Sequence, residues 1–297
     1  MLGARAQLDE GLLFERAGSI QRALIAYQTA AAAADTPDLV AEALRRQSVA
    51  HRLRCDWPSA LDAARRSAEI AKIADLPLHY AEALNVEATI HQRRGDFDEA
   101  VSLLEQVLDF TDDDRIRGIA LQNLGAIDAL RGRHAEAEGR FRESYESFAR
   151  VGDARGVAFA LTNCSALANL RRDHEAALAA AERAMVAARR LQDYEILAHA
   201  SLNCAEALIA MGRFARAEEL VSAALGYFTV EENACGRIGC LRLLGDLNRR
   251  IGNLEQAEIF YRYGLELAGR IGAKVEADQI TARIAALRPE AADPVTG

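Results

Sequence analysis

Apolar residues along this chain recur at three- and four-residue spacing, in stretches long enough for several helical turns, broken by short polar connectors. The connectors lie around Asp35 to Pro37, Asp75 to Pro77, Thr111 to Asp114, Gly152 to Asp153, Gln192 to Asp193, Thr229 to Glu232 and Gly272. Each combines a breaker or cap with the end of an apolar pattern, so each marks a new helix start. They divide the chain into seven helix pairs, near 4–34, 38–74, 78–110, 114–150, 154–190, 194–228 and 233–271. A last helix, 273–287, carries Ile280, Ile284 and Leu287 as an apolar stripe and is expected to cap the exposed side of the seventh pair. The tail at 288–297, RPEAADPVTG, is expected to be disordered.

The pairs share one outline. An alanine returns as Ala23, Ala60, Ala100, Ala137, Ala177, Ala217 and Ala257, at gaps of 37, 40, 37, 40, 40 and 40 residues. Five residues before each stands a turn residue: Gly18, Cys55, Gly95, Gly132, Arg172, Gly212 or Gly252. Seven residues further back is Gly11, Ser48, Ala88, Gly125, Ser165, Ala205 or Gly245, small in every case. Twelve residues separate that small residue from the alanine, room for two helical turns, a tight bend and the start of a second helix. Small side chains on both helices let antiparallel axes close up. Asp56, Asp96, Asp173 and Asn253 follow the bend as expected N-caps, with Pro58 in a first turn. Trp57, Phe97, Phe214 and Leu254 come next and are expected to plug the pair from the turn side. Four residues after the alanine the position varies: Tyr27, Ala64, Leu104, Phe141, Ala181, Val221 or Tyr261.

Composition narrows the function. Hydrophobic residues make up 51% but aromatics only 6%, with five prolines, which suits closely packed helices and not strands. The net charge is −8, and 34 Arg and two Lys are interleaved with 44 acids, so no concentrated basic face for nucleic acid is expected. No apolar run approaches the length of a membrane span and the N-terminus lacks a signal-peptide pattern, so a membrane partner is not expected and a cytoplasmic location is the default. Cys55, Cys164, Cys204, Cys235 and Cys240 form no CxxC pair. Cys164 and Cys204 sit at equivalent places in adjacent repeats, about 8 to 10 Å apart, too far for an unstrained disulfide. All five are expected to be small buried thiols.

With Leu121-Gln-Asn-Leu-Gly125 ahead of a turn, G-x-x-x-x-A across it and a later small residue, the chain resembles tetratricopeptide repeats over roughly residues 4 to 272. Its units of 37 to 40 residues depart from the family's usual 34 and resemble the longer-helix repeats of adaptor proteins and of sensor arrays in some bacterial regulators. The resemblance implies an all-α fold, a right-handed α-α superhelix of seven helical hairpins plus a C-terminal capping helix. It also implies that the first helix of each pair lines a concave groove that binds a peptide or protein segment without chemistry. One subfamily grips chaperone C-termini with Lys and Asn from three consecutive first helices; no three consecutive repeats here supply that set.

If the first helices line the groove, helical spacing selects Arg45 and Arg52, then Asn85, Gln92 and Arg93, then Gln122 and Asn169, and finally Arg242 and Arg249, as groove residues. Asn123, Asn163 and Asn203 form a ladder at identical places in three repeats. An amide that donates and accepts can hold the backbone of an extended peptide, or it can satisfy backbone groups between repeats; both accounts stand. For Arg52, Arg93 and Arg249, a solvated role beside a helix C-terminus is the alternative. Nucleophile elbows, P-loops, dinucleotide fingerprints and HExxH are all missing from the sequence, so neither catalysis nor a cofactor is expected. His51, His91 and Asp128 share one repeat position, but on helices about 8 to 10 Å apart they are expected to be polar edge residues and not metal ligands. The expected function is a non-catalytic interaction scaffold binding a peptide or protein. The alternatives are a sensor subunit for a small peptide or metabolite and an accessory subunit of an enzyme assembly. A homo-oligomer through the convex side or the ends stays open.

Overall fold

The structure is a computed structural model describing residues 3–16 and 19–287; Gly18 and the tail at 288–297 lie outside the described residues. It contains fifteen α-helices and no strand among those residues. The hairpins pair α1 (Ala4–Arg16) with α2 (Ile20–Ala33), α3 (Pro37–Leu53) with α4 (Trp57–Ile73), α5 (Pro77–Arg94) with α6 (Phe97–Phe110), and α7 (Asp114–Leu130) with α8 (His134–Arg150). They continue with α9 (Ala154–Leu170) and α10 (His174–Leu191), α11 (Tyr194–Ala210) and α12 (Phe214–Val230), and α13 (Ala234–Arg250) and α14 (Leu254–Ile271), and α15 (Lys274–Ala285) packs on the last pair. Odd-numbered helices touch one another from repeat to repeat, so they form the inner wall of a right-handed superhelix. No helix among the described residues is long and apolar enough to cross a membrane.

The recurrent alanines hold the hairpins shut: all seven are completely buried. Opposite them, the small residue and the variable residue sixteen positions later vary together, which the separate patterns do not reveal. Where the small residue is glycine its partner is aromatic, and a Cβ on Gly11, Gly125 or Gly245 would stand 2.4, 2.6 or 2.3 Å from the ring of Tyr27, Phe141 or Tyr261. Where it is serine its partner is only alanine, and the hydroxyl of Ser48 or Ser165 donates to the carbonyl of Ala60 or Ala177 at 2.7 Å. The hairpins thus close in two ways, by a ring laid over glycine or by a hydroxyl-to-carbonyl bond between small residues.

The bends are Schellman-type closures. Asp96 N–H donates to His91 O at 2.9 Å and Arg133 N–H to Asp128 O at 2.8 Å, with the same bond at Asp56, Asp173, Arg213 and Asn253. The residue in front must be left-handed: Gly95, Gly132, Gly212 and Gly252 have φ of 84°, 75°, 77° and 86°, while Cys55 and Arg172 are forced to 59° and 62°. Asp56, Asp173 and Asn253 cap the next helix as expected, but Asp96 turns its carboxylate to His91 and Arg94 instead. Arg172 is exposed and gains nothing from its strained backbone. Replacing it with glycine removes a steric cost of roughly 1–2 kcal/mol and adds a smaller unfolded-chain entropy. Arg172→Gly is therefore expected to stabilise the protein by roughly 0.5–1 kcal/mol in denaturant titration.

The superhelix closes on itself. Trp57 packs beside Ala60, Leu61 and Ala64 of its own hairpin and also donates its indole N–H to Ile271 O at 2.6 Å, at the end of α14. Arg93 Nη1 donates to Glu276 Oε1 of α15 at 3.1 Å, and the Cβ position of Gly95 lies 3.9 Å from Val275. The C-terminal cap therefore seats against the turns of the second and third hairpins.

Candidate functional site

The closure converts the inner groove into a cavity of about 770 Å³, walled by α1, α3, α5, α7, α9, α11 and α15, with Phe141 and Phe148 reaching it from α8. Helical spacing places one stripe of each of these odd helices inward. Val49, Ile119, Phe159, Ala126, Ala129 and Ala166 make an apolar, shallow floor, and polar side chains rise around it. Two smaller clefts of 350 and 430 Å³ lie on the outside between neighbouring hairpins, where Tyr80 and Phe110, or Leu178 and Met185, supply much of the lining.

Of the residues singled out by sequence, Arg52, Gln92, Arg93, Gln122, Asn123 and Asn163 line the cavity. The others are placed elsewhere or engaged within the protein. Arg45 lies 3.2 Å from Glu82, Asn85 is buried and donates to Ile116 O at 3.4 Å, and Asn169 donates to Asn203 O at 2.8 Å. Arg242 is held by Glu206 at 2.9 Å and Asp246 at 3.4 Å, and Arg249 is exposed. Within the asparagine ladder, Asn203 donates to Thr162 O at 2.8 Å and Asn123 to Thr89 Oγ1 at 3.3 Å, both across repeats. Asn163, between them, makes no such bond among the described residues and points into the cavity.

The electrostatics are uneven. Arg155 is bound by Asp193 at 2.6 Å and Glu195 at 2.9 Å, Arg93 by Glu276, and Arg115 lies 3.5 Å from Asp153. Burial opposes the charge on Arg93, but Cys235 and Glu276 outweigh it and raise its pKa. Arg52 has no ion-pair partner among the described residues; burial, then Arg93 beside it, lowers its pKa from the usual guanidinium range. Burial also lowers His199, leaving a neutral ring at pH 7. Three buried polar atoms of the lining have no partner: Arg46 Nε, Gln122 Nε2 and Glu276 Oε2. Arg46, Glu15, Arg155 and Glu276 were not singled out by sequence. Glu276 in particular belongs to the cap helix, which joins the site only through the closure.

The His51, His91 and Asp128 row is explained within single hairpins. His51 Nδ1 lies 3.2 Å from Asp56, and His91 Nδ1 lies 3.3 Å from Asp96. Asp128 reverses the polarity, at 2.5 Å from Arg133 and 2.6 Å from Arg140. Each side chain ties the end of a first helix to the start of its partner, and no cluster of metal-ligating groups occurs among the described residues.

The sequence profile of the tetratricopeptide repeat family matches residues 39–113 and 116–190. No curated protein matches the chain. Among solved structures, the fold is similar to that of a Rap protein complexed with competence and sporulation factor, with a TM-score of 0.66 and 15% identity over 95% of this chain and 80% of that one. It is similar to aspartyl phosphate phosphatase F from Bacillus subtilis, with a TM-score of 0.68 and 12% identity over 88% and 69%. It is also similar to NprR in complex with its cognate peptide NprX, with a TM-score of 0.64 and 12% identity over 93% and 82%. At these identities the likeness is one of fold.

Proposed function

The chain belongs to the tetratricopeptide repeat family, and from that premise we propose that it is a non-catalytic binding protein whose inner cavity takes an extended peptide or protein segment bearing a carboxylate. One observation carries this reading: the cavity wall holds desolvated donors with nothing to bind, namely Arg52, Arg46 Nε and Gln122 Nε2. Buried polar groups are costly when unpaired, by about 1–3 kcal/mol each, and a ligand that pairs them recovers that cost. An acidic side chain or free C-terminus would meet Arg52. Asn163 and Gln122 would hold peptide groups whatever the sequence, and the Ala126, Ala129 and Ala166 floor leaves depth for apolar side chains.

The sensor reading has an observation of its own, because the cavity is completed by α15 through the Trp57 and Arg93 contacts, so occupancy and closure are coupled. Two of the similar solved structures are complexes, one with a cognate peptide. The test is selection of a random displayed peptide library on the immobilised protein. Selected peptides are expected to carry an acidic residue or a free C-terminus, and Arg52→Ala should weaken them by roughly tenfold or more, the scale of one charge-assisted hydrogen bond. Asn163→Ala should weaken them irrespective of sequence. Undiminished binding to the Arg52→Ala, Asn163→Ala double variant would remove the cavity as the site.

A further inference from the structure

Among the fifteen helices of the described residues, α6 is the one that carries no Lys, Arg or His, and it holds four acids, Asp98, Glu99, Glu105 and Asp109. Asp98 is taken by Arg131 at 2.5 Å, but Glu99, Glu105 and Asp109 have no ion-pair partner among the described residues. These three share one exposed face with Ser102, at helical spacing. The face ends on Phe110, which is 52% exposed, its ring edge-on to Tyr80 at 5.2 Å. One outer helix therefore presents an acidic stripe with an aromatic ring at its end.

The outer cleft of 430 Å³, between α10, α11 and α12 of the fifth and sixth hairpins, has the opposite character. Met185, Cys204, Leu208 and Leu220 form its buried apolar floor. Arg189, Arg213 and Arg216 line it against a single acid, Glu182. Arg216 is paired with Glu219 at 2.7 Å, whereas Arg189 and Arg213 are exposed and have no ion-pair partner among the described residues. We propose that this cleft docks α6 of a second copy of the chain, so that two molecules related by a two-fold axis make the same contact twice.

Length, charge and shape agree on this occupant. The cleft follows α10 from Leu178 to Arg189, about 16 Å at the helical rise, and the acidic face of α6 from Glu99 to Asp109 is about 15 Å long. Every other outer helix, α2, α4, α8, α10, α12 and α14, carries at least one arginine that would meet the arginine rim, and like charges brought together across an interface are costly. Phe110 supplies the large apolar anchor, and a floor of leucines with the thioether of Met185 suits an aromatic ring. The acidic helix and the basic cleft are different surfaces of one chain, so a single contact leaves one of each open. A two-fold axis uses both and closes at the dimer. Both surfaces lie outside the superhelix and leave the inner cavity free, so this inference does not depend on the cavity's ligand.

The experiment is sedimentation velocity of the full chain over a concentration series reaching high micromolar. Wild-type protein is expected to reach the dimer mass, and added salt should shift it toward monomer by screening the carboxylate–guanidinium contacts. Glu105→Arg with Asp109→Arg reverses the face of α6, and Arg189→Glu with Arg213→Glu reverses the rim of the cleft. All four positions are exposed, so both variants should fold. Each should be monomeric alone. Mixed in equal amounts they should regain the dimer mass, because the reversed α6 of one meets the reversed cleft of the other while their two native surfaces make the second contact. Phe110→Ser should be monomeric with every charge in place. A wild-type monomer at every concentration, a dimer that either reversal leaves intact, or a mixture that stays monomeric would overturn the proposal, and a mass that keeps growing past the dimer would overturn its two-fold closure.

Discussion

Ala137→Arg is expected to destabilise the protein by about 3–5 kcal/mol, the scale of a severe core substitution. Ala137 is completely buried between α7 and α8, against Phe141, Leu167, Ala126 and Ala129. An arginine there must either push the two helices apart or bury a third guanidinium near Asp128, whose carboxylate is already taken by Arg133 and Arg140, and both are costly. The matching control is Ala135→Arg, two residues earlier on α8 and exposed, where little change is expected. Because each hairpin of a solenoid is stabilised mainly by its neighbours, damage to the fourth should divide unfolding into stages. Thermal melts followed by circular dichroism should show a broadened or two-step transition for Ala137→Arg. An unchanged single transition would mean that the alanine does not set the hairpin contact.

That contact was legible in the sequence because it is periodic. A buried alanine every 37 to 40 residues has one geometric explanation, and the turn glycines give it a direction. The division of bulk between Gly125 and Phe141, or between Ser165 and Ala181, was present in the same letters. Reading either column alone hid it, because the two vary together, glycine with an aromatic ring and serine with alanine. The candidate site was less accessible. Helical spacing brought Arg52, Gln92, Arg93, Gln122, Asn123 and Asn163 to the inner wall, but it could not distinguish a side chain aimed at a neighbouring repeat from one left free. Asn203 and Asn163 occupy the same repeat position, yet Asn203 reaches Thr162 O and Asn163 faces the cavity. The closure had no local signature at all. It joins Trp57 to Ile271 and Arg93 to Glu276, residues 214 and 183 positions apart, and depends on superhelical pitch accumulated over several repeats. Of the five thiols expected to be buried, Cys204 and Cys240 are, while Cys55, Cys164 and Cys235 are only partly covered.

Asp246→Ala is expected to cost about 3–5 kcal/mol and to release the cap helix, because it strands several buried donors at once. The Asp246 carboxylate accepts from Tyr261 Oη at 2.6 Å, from Arg283 Nε at 3.0 and 3.1 Å, and from Arg242 Nη1 at 3.4 Å. Those donors lie on α14, α15 and α13, and Arg242 continues to Glu206 of α11 at 2.9 Å. One carboxylate therefore ties four helices around the last repeat. Hydrogen exchange should show α15 losing protection first, with the end of α5 that it covers following and α1 unaffected. Trp57, the single tryptophan, should report the consequence, since release of α15 and the end of α14 breaks its bond to Ile271 O and alters its fluorescence. The network also fixes an acid response. Burial alone would raise Glu206, but Arg242 outweighs it and its pKa is lowered on folding, so its stabilising contribution is complete above the ordinary glutamate range of about 4.3 and is lost as pH falls through the lower folded value. Wild-type protein should hold its tryptophan signal from neutral pH down to about pH 5 and lose it below about pH 4. Asp246→Ala should show the released signal already at neutral pH. Retention of the wild-type signal by the variant would mean that the cap is held by its apolar face alone, Ile280 against Ile238 and Tyr261, and that the seam does not depend on the ionic network.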